Sequence, residues 1–251
     1  MGIDMSKMKA KREALQNRGN GGGNKESFWR PQDGESTIRI VPTEDGDPFK
    51  DFWFHYNVGN NAGFMSPKKN FGEDDPLDSF VRSLFKEGSD DSIKMAKSLM
   101  ARQRFFAPVL VRGEEDKGVR VWGFGKMAYQ ELLNLVLNPD YGDITDTEEG
   151  TDLVITYGKP PGAQFPQTTI TPRRKSSPLS ANKKSIKTYL EQVPDFTTLF
   201  ERKSPTQVQG MLDEFLLGEE NAEENSTESV KYKTDSDTAT SVDAAFAEFL
   251  G

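Results

Sequence analysis

At 251 residues with 34% hydrophobic content and no cysteine, the chain is long enough for one large domain or two small ones, yet too polar to pack along its whole length. Without thiols there are no disulfides, cysteine nucleophiles or thiolate metal sites, and a single histidine, His55, leaves zinc and triad chemistry almost without side chains. The net charge of −8 averages unlike regions: residues 1–30 carry seven bases against three acids, and residues 218–251 carry nine acids against two bases.

Residues 1–24 form a basic arm with Lys7, Lys9, Lys11 and Arg12, followed by a Gly/Asn stretch that reads as a flexible link. The arm suits an acidic surface or phosphate, and equally a solvated terminus. It lacks the apolar centre of a secretory signal, and no apolar run is long enough to span a bilayer, so an intracellular protein without membrane contact is expected.

The body begins near Lys25. Residues 36–42 alternate as a strand, Thr43–Pro48 is an acidic turn, and Phe49–Val58 is an aromatic strand. Phe52, Phe54, Tyr56 and Val58 share one face of it, with Trp53 and His55 opposite, which favours a partly buried structural histidine over a ligand or base. Residues 57–75 read as loop. A helix capped by Asp75 carries Leu77, Phe80, Val81, Leu84 and Phe85 at helical spacing and stops at Gly88, and a short helix follows over 92–100.

Arg102–Lys126 reads as two strands around a polar loop, Gly113–Gly118. Phe105, Ala107, Val109 and Val111 share one face; Arg104, Phe106, Leu110 and Arg112 share the other. On the return strand Val119 and Val121 oppose Arg120, Trp122 and Phe124, and a register with Val109 opposite Val121 brings Phe106 opposite Phe124. One face is core. The other mixes arginines with aromatics, which fits either a surface for phosphates and unpaired bases or a second buried layer with arginines at its rim.

A helix is expected over 126–137, with Tyr129, Leu132, Leu133 and Val136 on its apolar stripe. After an acidic loop come a strand through Leu153, Ile155 and Tyr157, a Pro-Pro-Gly turn, Phe165 and a strand over 167–172, making about six strands in all, within the range of a small barrel. Arg173, Arg174 and Lys175 open a basic loop that Lys183, Lys184 and Lys187 continue onto a helix capped by Ser180; six bases without an intervening acid make either a phosphate-binding patch or a solvated face. The last helix starts at Ser204-Pro205, packs Val208, Met211, Leu212 and Phe215 inward, and ends at Gly218. In the acidic tail, Phe246, Phe249 and Leu250 resemble a docking peptide for partner proteins.

Two acid clusters, 73–78 and 140–149, run along loops instead of converging from separate strands, the second also fails the calcium-loop pattern, and no glycine-rich loop has phosphate-binding spacing. An enzyme is unsupported.

Residues 37–42 (TIRIVP) before an aromatic strand, 104–111 (RFFAPVLV), 122–126 (WGFGK) leading into a helix, 150–157, the basic arm and the acidic tail together resemble the single-stranded DNA-binding, helix-destabilising proteins of T-even bacteriophages and their relatives in phages of marine bacteria. The resemblance implies an OB-fold barrel with an inserted subdomain, so the expected fold is mainly β with α: a barrel of five to six strands in a body of 25–217, with a helical insertion at about 57–101, between a disordered basic arm at 1–24 and an acidic tail at 218–251. It further implies non-catalytic, cooperative coating of single strands in replication, recombination and repair, in the cytoplasm of an infected bacterium. The expected partners are single-stranded DNA, neighbouring copies through Lys7, Lys9, Lys11 and Arg12, and phage replication and recombination proteins through Phe246, Phe249 and Leu250. The expected DNA contacts are Arg102, Arg104, Phe105, Phe106, Arg120, Trp122, Lys126, Phe165, Arg173, Arg174 and Lys175. For Phe105, strand alternation points to the core and the resemblance to the cleft. The T-even members hold a structural zinc through one histidine and three cysteines; His55 matches the histidine but 65–78 has no cysteine, so no metal and no cofactor is expected. An adaptor acting through its tail, or a metal-dependent nuclease, are the rival functions.

Overall fold

The computed structural model describes residues 27–59 and 61–225, with side chains to residue 217. The arm residues Lys7, Lys9, Lys11 and Arg12 and the tail residues Phe246, Phe249 and Leu250 lie outside the described residues. Within them the chain is mainly β with α: strands β1 (Phe28–Trp29), β2 (Gly34–Ile40), β3 (Lys50–Val58), β4 (Asn61–Met65), β5 (Arg102–Val111), β6 (Arg120–Phe124), β7 (Thr151–Gly158) and β8 (Gln167–Ser176), and helices α1 (Pro67–Phe71), α2 (Pro76–Glu87), α3 (Asp90–Leu99), α4 (Lys126–Val136), α5 (Lys183–Glu191) and α6 (Pro205–Asn225).

The sheet is organised on β5. One edge pairs antiparallel with β6, while along the other the N-terminal half pairs with β3 and the C-terminal half with β2. Pro108 sits at the handover, where a residue without an N–H is tolerated; its carbonyl accepts from the Val41 N–H at 2.9 Å. The hydrogen-bonded path is β1-β6-β5-β2-β7-β8, with β3 and β4 branching from β5 and only the β1–β6 pair parallel.

Every strand on that path turns apolar side chains into one core, among them Trp29, Ile38, Val109, Trp122, Ile155 and Ile170, and α4 lays Ala128 and Leu132 across it. Glu131 on α4 accepts from the Ile170 N–H at 3.0 Å and so satisfies a donor of the outermost strand. The opposite face of β3, β5 and β6 makes a second core of Phe54, Tyr56, Phe106 and Val121, covered by Phe196 and Phe200. A third joins Val58 and Phe64 to α2, α3 and α6.

The hairpin register differs by one residue from the expected one. Phe105 pairs with Phe124 and Ala107 with Trp122. A slip of one moves every side chain across the sheet, so Trp122 and Phe124 join the face of Phe105 rather than that of Phe106. Alternation could not settle this, because both faces of β5 are buried and the register is set by a loop in which Gly113 (φ 89°) and Gly118 (φ 69°) flank a single 3₁₀ turn.

Smaller differences follow from local capping. Residues 57–75, read as loop, contain β4 and α1; Asn57 takes φ 56° before the β3–β4 turn, and the Ser66 hydroxyl accepts from the Lys69 N–H to cap α1. Asp75 caps α2 as expected, and Leu77, Val81 and Leu84 are buried while Phe85 is exposed. On α4 the buried line is Ala128 and Leu132, leaving Val136 at 40% exposure. β8 runs on through Arg173–Lys175, α5 is capped by Asn182 instead of Ser180, and α6 passes through Gly218 to Asn225.

Candidate nucleic-acid interface

Pairing in the sheet fixes which side chains stand together. Directly paired antiparallel residues share a face, so Arg104 stands beside Phe52, Arg102 beside Phe54, and Phe106 beside Gly123. Beyond the end of β6, the same register brings Arg104 to Gly125: a Cβ on that glycine would lie 3.2 Å from Arg104 Nη1. In the parallel pair Phe28 matches Val121 and Trp29 matches Trp122, so Arg30 follows on beside Gly123. Arg30 and Arg104 therefore flank a glycine-backed stretch at the end of β6, Gly123 to Gly125, with the Arg104 guanidinium lying against Gly125 and half-buried Phe28 and Phe52 at its edge.

The aromatic rim is held from below. Phe52 packs against Phe106 and Phe200 at 5.9 and 5.7 Å between centroids, and Phe28 against Phe200 at 5.9 Å. Burial lowers the pKa of the Arg30 guanidinium, although the residue as a whole stays exposed. Exposed Lys126 opens α4, whose first turn has no acid and whose N-cap is Gly125, so the partial positive charge of the helix start adds to that of the side chains. Lys50, by contrast, is neutralised by Asp45 at 2.5 Å and Asp47 at 3.7 Å in the turn between β2 and β3.

Several expected contact residues are elsewhere. Trp122 is 1% exposed, edge-on to Trp29 at 5.8 Å, and Phe106 is fully buried under Phe200; neither presents a ring to a base. Phe105 is core, as strand alternation indicated, stacked on Tyr129 at 3.9 Å. Arg120 is buried and donates to Glu114 Oε2 at 2.6 Å within the hairpin loop, where it and Lys117 hold the Glu114 carboxyl below its usual range. Arg102 is partly tied down, donating to the Lys97 carbonyl at 2.9 Å. Phe165 is half-buried between β7 and β8, at the end of the strand path opposite β1. The one-residue register difference accounts for Trp122, and the cover supplied by residues 193–200 accounts for Phe106. Arg30 and Phe28 escaped the sequence, since a two-residue parallel strand carries no periodicity and the aromatic-aromatic-arginine triplet before Pro31 was the available signal; Phe52 was placed on its strand face, but its pairing with Arg104 was not.

The second basic group lies on edge strand β8 and on α5. Arg174 and Lys175 are exposed, Arg173 donates to Thr37 Oγ1 at 3.1 Å, Lys183 pairs with Glu148 at 3.7 Å and Lys187 with Glu191 at 3.8 Å. A buried ion cluster anchors the connection between β8 and α5. Arg39 donates through Nε to Asp152 at 2.9 Å and through Nη2 to the Ser177 carbonyl and hydroxyl, both at 2.7 Å; Arg112 donates to the same carboxylate at 2.9 Å and to the Leu179 carbonyl at 2.8 Å. Burial lowers the Arg39 pKa, and Asp152 opposes that shift. Gly150 makes room for the cluster, since a Cβ there would lie 2.6 Å from Arg39 Nη1 and 2.3 Å from the Asp146 carbonyl.

A family model described as gp32 DNA binding protein like matches residues 32–215. The chain belongs to that family. No curated protein matches it. Membership in the gp32-like family supports single-stranded DNA binding as the activity of this body, and the matched span contains Arg104, Phe52 and the whole β8–α5 segment.

The structural zinc implied by the resemblance does not fit this gp32-like chain. His55 is fully buried with both ring nitrogens committed, Nδ1 to the Leu99 carbonyl at 2.8 Å and Nε2 to Asp75 Oδ2 at 3.1 Å, and the Ser66 hydroxyl donates to that same oxygen at 2.6 Å. Among the described residues no group of three His, Cys, Asp or Glu side chains is placed to hold a metal. The insertion is joined instead by this clasp and the packing of α2. In the acidic loop, Asp143 and Asp146 accept from the backbone N–H groups of Thr145, Glu148 and Glu149, so those carboxylates close turns.

Proposed function

We propose that this chain is a phage protein that coats single-stranded DNA non-catalytically in the cytoplasm of the infected host, with the strand crossing the Arg30–Gly123–Gly125–Arg104 floor. The observation that carries this is the placement of two arginines on either side of the Gly123–Gly125 backbone, rimmed by Phe28 and Phe52, in a domain of a DNA-binding family. Arginines meet phosphates, aromatic edges meet unpaired bases, and glycines let the backbone of the strand approach closely. Lys126 extends this surface. Arg174, Lys175 and Lys184 add a more diffuse electrostatic field on β8 and α5.

In the same reading the basic arm with Lys7, Lys9, Lys11 and Arg12 touches the neighbouring copy along the strand, and the acidic tail with Phe246, Phe249 and Leu250 recruits replication and recombination proteins. Both rest on charge pattern and the family resemblance.

The test is oligo-dT binding at several salt concentrations. Each phosphate contact removed should lower the salt slope by about 0.7, so Arg30→Ala and Arg104→Ala should each do so and the double variant by about twice that. Affinity and slope equal to wild type in the double variant place the strand elsewhere. Cleavage of the oligonucleotide on adding magnesium overturns the non-catalytic assignment.

A further inference from the structure

Of the three tryptophans, Trp29 and Trp122 are buried in the main core, while Trp53 on β3 is half-buried. Alternation puts its ring on the face opposite Phe52 and Arg104, outside the floor described above. The backbone at Trp53 is held rigidly by α1. Asn70 accepts from the Trp53 N–H at 3.0 Å and donates to its carbonyl at 2.7 Å, and the Ser66 N–H donates to the same carbonyl at 2.8 Å.

Over the ring stands Lys69, its Nζ 5.3 Å from the centroid. A similar arrangement lies two residues along α1, where the Arg202 guanidinium is 4.4 Å from the Phe71 ring, which is 40% exposed. Among the described residues, Glu73 is paired with Arg202, Asp78 with Lys68 and Arg82, and Asp51 accepts from the Gln103 amide at 2.7 Å, while Asp74 is exposed. The four bases and four acids of this patch balance, so what distinguishes it is two partly exposed rings, each with a cation over its face.

We infer that Trp53 is a stacking site for an unpaired base of single-stranded DNA, with Lys69 moving from the ring to the adjoining phosphate. This rests on the DNA-binding reading above and adds a contact on the helical insertion to it. A lysine on a partly exposed ring is a weak, flexible cover, weaker than the stacking of a base on the same ring. Displaced, its ammonium stays within reach of the strand and loses nothing electrostatically.

Because the other two tryptophans are buried, intrinsic fluorescence isolates the site. Oligo-dT should quench wild-type fluorescence, and fluorescein-labelled oligo-dT should report binding by anisotropy. Trp53→Phe should bind while losing the quench, Trp53→Ala should bind about tenfold more weakly, equivalent to ~1.4 kcal/mol, and Lys69→Met should keep the quench with a salt slope lower by about 0.7. A full quench in Trp53→Phe, or wild-type affinity in a Trp53→Ala protein whose circular dichroism and melting are unchanged, overturns this assignment alone. A wild-type protein that gives no anisotropy change overturns both this site and the DNA-binding reading.

Discussion

Asp152→Ala should cost more stability than any single surface change, and its size follows from what surrounds the carboxylate. Asp152 accepts from Arg39 Nε at 2.9 Å, from Arg112 Nη2 at 2.9 Å and from the Ser177 hydroxyl at 3.1 Å. The Arg39 side chain has no exposure, whereas that of Arg112 is 21% exposed. On truncation Arg39 keeps its carbonyl partners at Asp146 and Ser177 but loses its countercharge, and an unpaired buried charge costs about 3–5 kcal/mol. Arg112 can turn to water, so its pair with Asp152 contributes about 0–1 kcal/mol, in the range of solvent-screened pairs. Urea unfolding at neutral pH should therefore show Asp152→Ala losing about 3–5 kcal/mol and Arg112→Met about 1 kcal/mol or less, with unchanged m-values. A loss below about 1 kcal/mol in Asp152→Ala, or equal losses in the two variants, refutes the view that Arg39 is the charge at stake.

Trp122→Ala should destabilise by about 3–5 kcal/mol through loss of core packing, while folded protein keeps its affinity for oligo-dT; weakened binding by folded protein would return Trp122 to the cleft. The third expectation concerns acid. Burial pushes the Asp75 carboxyl up, but the His55 hydrogen bond and charge, the Ser66 hydroxyl and the Asp78 N–H outweigh it and hold the carboxyl below its usual value. A depressed carboxylate stabilises the fold above its unfolded pKa of about 3.9, and that contribution is lost as pH falls through the folded value. Melting temperature followed downward from about pH 5 should thus fall more steeply in wild type than in Asp75→Asn, and parallel curves would show that the clasp has no such linkage.

Much of the fold was legible because its elements carry local signals. The alternation of 104–111, the Asp75 cap with Pro76, and the helical spacing of Leu77, Val81 and Leu84 all reappear in the structure. What was not legible depends on partners distant in sequence. β1 is two residues long and exists only as a parallel partner of β6; Arg39 looked like one more strand residue until Asp152 and Ser177, more than a hundred residues away, enclosed its guanidinium. The site fared worse than the fold for the same reason. Residue type identified Arg104 as basic and Phe106 as aromatic, but whether each meets solvent is decided by residues 193–200.

The outer face of β5 shows how this works along a single strand. Arg102, Arg104, Phe106 and Leu110 alternate onto one side, yet their surroundings differ from end to end. Leu110 is roofed by Leu179 and α5, Phe106 by Phe196 and Phe200, and beyond them the cover stops, so Arg104 emerges beside Gly125. An arginine suits such an edge: its aliphatic stem continues the apolar layer while its guanidinium lies at the margin against Gly125. The face is neither the second core layer nor the binding surface that sequence alone offered as alternatives. It is buried core over Phe106 and Leu110 and only half-buried at Arg104, and the change comes where Phe200 ends and Phe52 begins to show.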